Sequence, residues 1–176
     1  EARPLLTELL SSFERLQGRW SDEASGMRQG LASLESAAGN YADAGSHAAV
    51  SLNSAWMQGR RGGEGVLGFA YPYLANSFAN LKDDRALLAL TLEQIDMFET
   101  RGNRFEVVAL LDAMDRRTGL YMKLDQPEDA RFSATQASFY CRVNTAWIPP
   151  ARAAQTENLA SEAAKAAPGT PAAGGV

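Results

Sequence analysis

Apolar and small side chains recur along the first third of the sequence at alternating spacings of four and three residues. This spacing keeps one stripe of an α-helix facing a partner helix, so the segment predicts a helix with a heptad seam. Between Leu6 and Ala55, the large apolar residues outside the seam are Leu9, Leu16 and Val50. The seam positions are Leu6, Leu10, Phe13, Gln17, Trp20, Ala24, Met27, Leu31, Leu34, Ala38, Tyr41, Gly45, Ala48, Leu52 and Ala55.

The seam is compatible with two architectures for residues 1–58. Its phase does not slip, which favours one long helix from Pro4 to Gln58 that spans about 80 Å. Glycine, however, lowers helix stability by about 1 kcal/mol relative to alanine, and Gly18 and the Gly39-Asn40 pair can each end a helix. We therefore expect either one long helix or a helical hairpin that bends at one of these glycines.

Shorter helices are predicted farther along the chain. The glycine-rich segment 59–65 is a loop, Pro72 begins or kinks a helix, and Asp83 or Asp84 caps the next helix. Gly102-Asn103 ends that helix, and Pro127 followed by two acidic residues begins another. The predicted helices cover residues 72–81, 85–100, 104–123 and 127–146. The last of these has the weakest pattern, and its segments beginning at Phe132 and Phe139 are also compatible with strands.

The last segment has too few large apolar residues to predict a packed core. From Ala151 it holds only Leu159 and Val176 as larger apolar residues, although a short helix near residues 157–166 is compatible with its composition. We find no convincing internal repeat. The predicted fold is all-α, with a long helix or helical hairpin over 1–58, a bundle of three to four shorter helices over 59–148, and a low-complexity tail over 149–176.

Composition and charge exclude several classes of protein. The formal charge of −4 and the pI near 5.1 argue against a nucleic-acid binder, which needs a basic surface. No apolar run approaches the roughly 20 residues of a membrane-spanning helix. The surplus of Arg over Lys, with abundant Ala and Gly, indicates a bacterial gene. The sequence begins at Glu1 rather than Met, which suggests processing, and it does not indicate a compartment.

Candidate chemistry is sparse. One cysteine, Cys141, allows no internal disulfide, and with the single His47 it is too little for a zinc site, so we expect no metal and no cofactor. Cys141 is interpreted as a buried thiol and His47 as a solvated helix residue. The carboxylates Glu93, Asp96 and Glu99 are interpreted as a solvated helix face rather than an acid–base pair.

One loop and one aromatic group form a candidate ligand site. Arg60 and Arg61 lie in the glycine-rich loop, where guanidinium groups and exposed amides can hold an anion. Tyr71 and Tyr73 belong to the aromatic group that follows and are candidates to line the same pocket. A hinge and a core clamp are the simpler interpretations of these two features.

The leading functional hypothesis is a non-catalytic assembly or adaptor protein, a subunit of a larger complex that uses the heptad seam for homo- or hetero-association. A helix with so regular a stripe must bury it, and the later helices do not cover about 80 Å. The alternative is an extracytoplasmic ligand-binding or sensor domain with a pocket lined by aromatic and Arg side chains; an enzyme ranks third. The predicted partner-binding residues are Leu10, Phe13, Trp20, Met27, Leu31 and Leu34.

Overall fold

The computed structural model describes residues 2–59, 66–101 and 106–166, and over these ranges the fold is all-α, as predicted. Eight α-helices are present there, together with a π-helical turn at Val66–Ala70 that leads into α4. The described residues contain no strand. The helices are α1 (Ala2–Gln17), α2 (Asp22–Ala37), α3 (Tyr41–Met57), α4 (Tyr71–Asn80), α5 (Asp84–Arg101), α6 (Val107–Lys123), α7 (Pro127–Val143) and α8 (Pro150–Ala166).

The chain forms two compact units, unit 1 (Glu1–Leu90) and unit 2 (Thr91–Val176), with the boundary inside α5. In unit 1, α2 packs on α1 and α3, and α3 packs on α4. In unit 2, α7 packs on both α6 and α8, and α6 also contacts α8. Each unit has its own apolar core. Buried core residues include Leu31, Ala48, Leu52 and Leu74 in unit 1, and Leu111, Leu120, Ala134 and Cys141 in unit 2.

The first third of the chain is not one long helix, because both candidate glycines break it. Gly18 has φ 93° and Gly39 has φ 80°, and such left-handed values end a helix at low cost only in glycine. Ser21 then caps α2 by accepting a hydrogen bond from the amide of Ala24 at 3.2 Å. The segment therefore forms three helices, α1, α2 and α3, rather than one long helix or a hairpin with a single bend.

This folding buries part of the heptad seam inside unit 1. Leu31 is only 2% exposed, so it is not available to a partner. Leu10, Phe13 and Met27 are half-buried. Trp20 and Leu34 remain 38% and 36% exposed. The prediction that the heptad seam stays uncovered along its whole length is therefore wrong, because α1, α2 and α3 fold back and cover one another.

Two ion pairs join α1 to α2. Arg3 pairs with the buried carboxylate of Glu35, with 2.7 Å between Nε and Oε1. Arg28 is buried, pairs with Glu14 and donates to the carbonyl of Arg19 at 2.7 Å. Burial lowers the pKa of Arg28, and the neighbouring carboxylate of Glu14 partly offsets this effect by raising it. The side of α1 that faces α2 is thus fixed by specific contacts.

Small residues bring α3 and α4 close together. A Cβ atom at Gly45 would collide with Oγ of Ser77 and lie 3.0 Å from its Cβ. The Ser77 hydroxyl donates to the carbonyl of Tyr41 at 2.6 Å, so it crosses directly from α4 to α3. Gly45 is required here by space rather than by backbone conformation.

The three shortest helix connections share one turn geometry at intervals of 43 residues. Gly39, Lys82 and Asp125 all have positive φ, at 80°, 57° and 56°. The next residue in each case donates its amide to a carbonyl five positions earlier, as in a Schellman motif. These pairs are Asn40–Glu35 at 2.8 Å, Asp83–Phe78 at 2.9 Å and Gln126–Tyr121 at 2.9 Å. The chain therefore contains a repeated local structure that its sequence did not reveal.

A helix stands where a low-complexity tail was expected. α8 covers Pro150–Ala166 and packs on α7, with Ala163 buried against Ala130 and Ala134. Alanine has the highest helix propensity, and its small side chain lets two helices approach closely. The alanine-rich composition, from which disorder was predicted, instead favours a helix and allows that helix to pack closely on α7. Residues 167–176 lie outside the described residues.

A charged network joins α8 to α6. Arg152 donates through Nε to Asp112 and through Nη1 to Asp115, both at 2.7 Å. Thr156 donates to the same oxygen of Asp115 at 2.8 Å. Burial alone would lower the pKa of Arg152, but its hydrogen bonds to Asp115 and Asp112 raise it overall. The network therefore holds the charged form of the guanidinium.

Candidate functional site

Helix α7 of unit 2 carries its small residues on the side that packs and its large apolar residues on the side that faces solvent. Pro127 occupies the first turn with two acidic residues, and Arg142 lies in the last turn, which suits the helix dipole. The buried side is formed by Ala130, Ser133, Ala134, Ala137, Ser138 and Cys141. On the opposite side, Phe132, Phe139 and Val143 are 66%, 61% and 59% exposed.

A groove of about 470 Å³ runs beside this exposed side. Its apolar surface comes from Met114 of α6 and from Phe139 and Tyr140 of α7. Polar groups contributed by α5 and α7 complete the lining, which is formed by Glu99, Met114, Thr135, Gln136, Phe139, Tyr140 and Arg142. The volume lies in the range of about 300–1,000 Å³ that is typical of ligand pockets.

Arg117 holds one wall of the groove in place. Its Nε donates to the hydroxyl of Ser133 and its Nη2 donates to Oε1 of Gln136, both at 2.7 Å. Ser133 in turn shares a 2.9 Å hydrogen bond with Thr118. Burial lowers the pKa of Arg117, and this effect is opposed by Tyr121 and by Glu99. The Gln136 side chain is therefore fixed before any ligand arrives.

The groove has an acidic and phenolic side. Burial raises the pKa of Tyr140, and the nearby carboxylate of Glu99 raises it further. The phenol is therefore protonated at neutral pH and serves as a hydrogen-bond donor rather than as a base. Glu99 is available to a cationic group of a ligand, and Arg142 to an anionic one.

The groove contains one of the carboxylates that were considered for acid–base chemistry. The described residues contain no group of three or more His, Cys, Asp or Glu side chains that could hold a metal ion. Glu99 is the one member of the predicted carboxylate face that lines the groove; Glu93 and Asp96 do not line it. An apolar surface with a few fixed polar groups is the arrangement that recognises an apolar side chain beside a charge.

Of the predicted anion site, the structure describes the two tyrosines. Arg60 and Arg61 lie outside the described residues. Tyr71 is 1% exposed, so it belongs to the core of unit 1 and cannot line an open pocket. Tyr73 is half-buried and packs against Phe69, with ring centroids 4.4 Å apart. The core-clamp interpretation describes these two tyrosines better than the ligand-pocket interpretation.

The single histidine and the single cysteine both lie at packed positions. Cys141 is 3% exposed, and burial raises the pKa of its thiol, with Glu157 and Asp115 adding to the effect. His47 is half-buried on α3 rather than solvated, and burial lowers its pKa despite the nearby Glu35 and Asp43. Neither side chain lies in the groove.

Sequence reasoning missed the groove, although a signal was present. Phe132, Phe139 and Val143 are spaced by seven and four residues, which places them on one face of a helix. Ala130, Ala134 and Ala137 follow a second helical spacing on the opposite face. A helix whose small residues face inward and whose large apolar residues face outward indicates a binding surface.

The described residues form no helix that is both long enough and apolar enough to cross a lipid bilayer.

Comparisons with known proteins place the fold but not the function. No family model matches the chain, and no curated protein matches it. Among solved structures, the chain is similar to BtubC (BKLC) from P. vanneervenii, with a TM-score of 0.70 and 19% sequence identity. The similarity covers 94% of this chain and 65% of BtubC, so the chain spans less than two thirds of the protein that it matches. At this identity the likeness establishes a shared helical fold.

Proposed function

We propose that the protein is a non-catalytic helical adaptor that binds an amphipathic helical segment of a protein partner along α7. The observation that carries this proposal is the exposure of Phe132, Phe139 and Val143 beside the groove, each by more than half. Monomeric soluble proteins rarely expose an aligned set of large apolar side chains unless a partner covers them.

The dimensions of this surface favour a helical segment. Phe132 and Val143 are eleven residues apart, which corresponds to about 16 Å or three helical turns. Trp147, just beyond α7, is 51% exposed and extends the apolar surface. A partner helix that presents apolar residues at i, i+3, i+4 and i+7 covers such a length. Arg142 and Glu99 would then meet charges that flank its apolar face.

The heptad seam contributes less than its regularity suggested. Of the six residues predicted for partner binding, Trp20 and Leu34 keep more than a third of their surface exposed. They remain in the proposal as a second contact surface, on unit 1, for the same or another protein. Catalysis is not part of the proposal.

A small-molecule sensor is the second candidate, and the groove volume supports it. The two functions differ in which residues they need. Phe132 and Val143 do not line the groove, so a small ligand does not require them, whereas a partner helix does. Phe132→Asp therefore separates the two functions, because it should abolish binding of a partner helix and leave binding of a small ligand intact.

Site-specific photo-crosslinking in the source cells tests the proposal. A photoreactive phenylalanine analogue replaces Phe139, and a matched control carries it at Gln155, an exposed polar position on α8. We expect a discrete crosslinked protein from position 139 that disappears with Phe132→Asp. Crosslinks of equal yield from both positions, or a product that survives Phe132→Asp, would overturn the proposal.

A further inference from the structure

The outer side of α1 carries a second set of exposed leucines. Leu5, Leu9 and Leu16 are 59%, 37% and 75% exposed. The side of α1 that faces α2 is formed by other residues, among them Leu6, whose Cδ1 would lie 3.1 Å from a Cβ at Gly30. The packing of α1 on α2 thus leaves these leucines uncovered.

The spacing of this stripe reads the same in both directions along α1, and Ser12 occupies its third position. Positions 5, 9, 12 and 16 follow spacings of four, three and four residues, which is the repeat of a coiled-coil seam. When two such stripes pair antiparallel, Leu5 lies opposite the partner's Leu16, and Leu9 lies opposite the partner's Ser12. A stripe that is complementary to itself in this way is what a two-fold symmetric interface requires.

Charged residues beside the stripe have the same symmetry. Glu8 and Arg15 are exposed and lie on one flank of the leucines, seven residues apart. In the antiparallel pair, Glu8 lies across from the partner's Arg15, and Arg15 lies across from the partner's Glu8. Two opposite-charge pairs thus border the leucine contact, and the same arrangement disfavours partners with the wrong charges.

Helix α8, the last described helix, shows what a solvated outer face looks like in this protein. Its exposed positions are mainly alanine, glutamine, glutamate, serine and lysine. The exposed leucines of α1 contrast with this polar face, and aligned exposed apolar side chains are typical of a contact surface.

We propose that two copies of the chain associate through antiparallel pairing of their α1 helices. Leu5, Leu9 and Leu16 form the contact, and the Glu8–Arg15 pairs fix its direction. The contact is small compared with a permanent dimer, so we expect a reversible dimer with a dissociation constant on the order of 10 μM. This association uses unit 1 and does not depend on the groove of unit 2.

Sedimentation velocity of the full chain from 1 to 500 μM (concentrations chosen to bracket that constant) tests the proposal. Glu8→Arg alone and Arg15→Glu alone should each weaken the dimer about tenfold, because each brings like charges together. The double variant Glu8→Arg/Arg15→Glu should restore the dimer, and so should an equimolar mixture of the two single variants. Leu16→Glu should leave a monomer throughout the range, with Leu81→Glu, at a residue 52% exposed in unit 1, as the matched control.

Several results would overturn the proposal. These are a wild-type chain that stays monomeric at 500 μM, a dimer that survives Leu16→Glu, and a mixture of the single charge variants that fails to associate. Circular dichroism of each variant checks that the helices are intact. The crosslinking experiment at position 139 tests partner binding along α7, which is a different surface. Self-association through α1 and partner binding along α7 can therefore each fail independently of the other.

Discussion

The α3–α4 contact of unit 1 and the α6–α8 contact of unit 2 are built on opposite principles. The first depends on a missing atom, because Gly45 leaves room for the Ser77 hydroxyl. The second depends on atoms that are present, because Arg152 joins Asp112, Asp115 and Thr156. A contact that depends on the close approach of two helices is weakened by adding a methyl group. A contact that depends on ion pairs is weakened by removing one of the charged side chains.

The largest effect is expected from removing the centre of the charged network. Arg152→Met should lower the free energy of unfolding by about 3 kcal/mol, because it leaves the Asp115 carboxylate, 14% exposed, without its counter-charge. Asp112→Asn is the matched control and should cost less than about 1 kcal/mol, since Asp112 is 52% exposed. Urea unfolding followed by circular dichroism measures both. Equal losses in the two variants would show that the network does not centre on Asp115.

The close contact of unit 1 gives the next effect. Gly45→Ala should lower the free energy of unfolding by about 2 kcal/mol, because the added methyl group meets the Ser77 side chain. Gly26→Ala, where a Cβ meets nothing within 4 Å, should instead raise it by up to about 1 kcal/mol. Thermal unfolding of the two variants shows whether each substitution stabilises or destabilises the protein. The interpretation is wrong if Ser77→Gly fails to rescue Gly45→Ala.

The repeated turns allow one test in both units. Gly39→Ala should cost about 1 kcal/mol, and Lys82→Gly and Asp125→Gly should each gain about 1 kcal/mol, because all three positions have positive φ. Urea unfolding of the three variants checks the prediction. A loss of stability in Lys82→Gly or Asp125→Gly would mean that the side chain, rather than the backbone, stabilises that turn.

The smallest effect concerns pH and is confined to unit 1. Burial lowers the pKa of His47 below its ordinary value of 6.5, so the unfolded chain binds this proton more readily than the folded chain. Stability should therefore be complete above pH 6.5 and fall as the pH drops through that value. His47→Gln should reduce the loss between pH 7.5 and 5.5, measured by urea unfolding. An identical pH dependence in the two proteins would contradict the assignment.

Several boundaries followed from local chemistry and were predictable. Gly18 and Gly39 were named as candidate helix ends because glycine accepts positive φ, and both glycines have positive φ. Asp83 or Asp84 was predicted to cap α5, and the Oδ1 of Asp83 accepts from the amide of Ala86 at 3.0 Å. Pro127 was predicted to begin α7, and the helix starts there. In each case one residue decides the outcome without reference to distant parts of the chain.

The features that were missed depend on tertiary packing. α8 is ordered by the contact of Ala163 with Ala130 and Ala134, which composition does not show. The groove depends on which side of α7 faces the core. In the sequence, the segments at Phe132 and Phe139 of α7 were also compatible with strands. The repeat went unnoticed because its three turn positions hold Gly39, Lys82 and Asp125, which share a backbone conformation but no side-chain chemistry.

Because the three turns are equally spaced, a pair of helices could be inserted or deleted between two turns without changing the geometry of the turn that remains. Deletion of residues 40–82 would join Gly39 directly to Asp83, so a left-handed residue would again stand before a helix start. Any other increment would rotate each downstream helix about its axis and turn its apolar side away from its neighbour. Insertions and deletions in proteins of this design are therefore expected in steps of 43 residues.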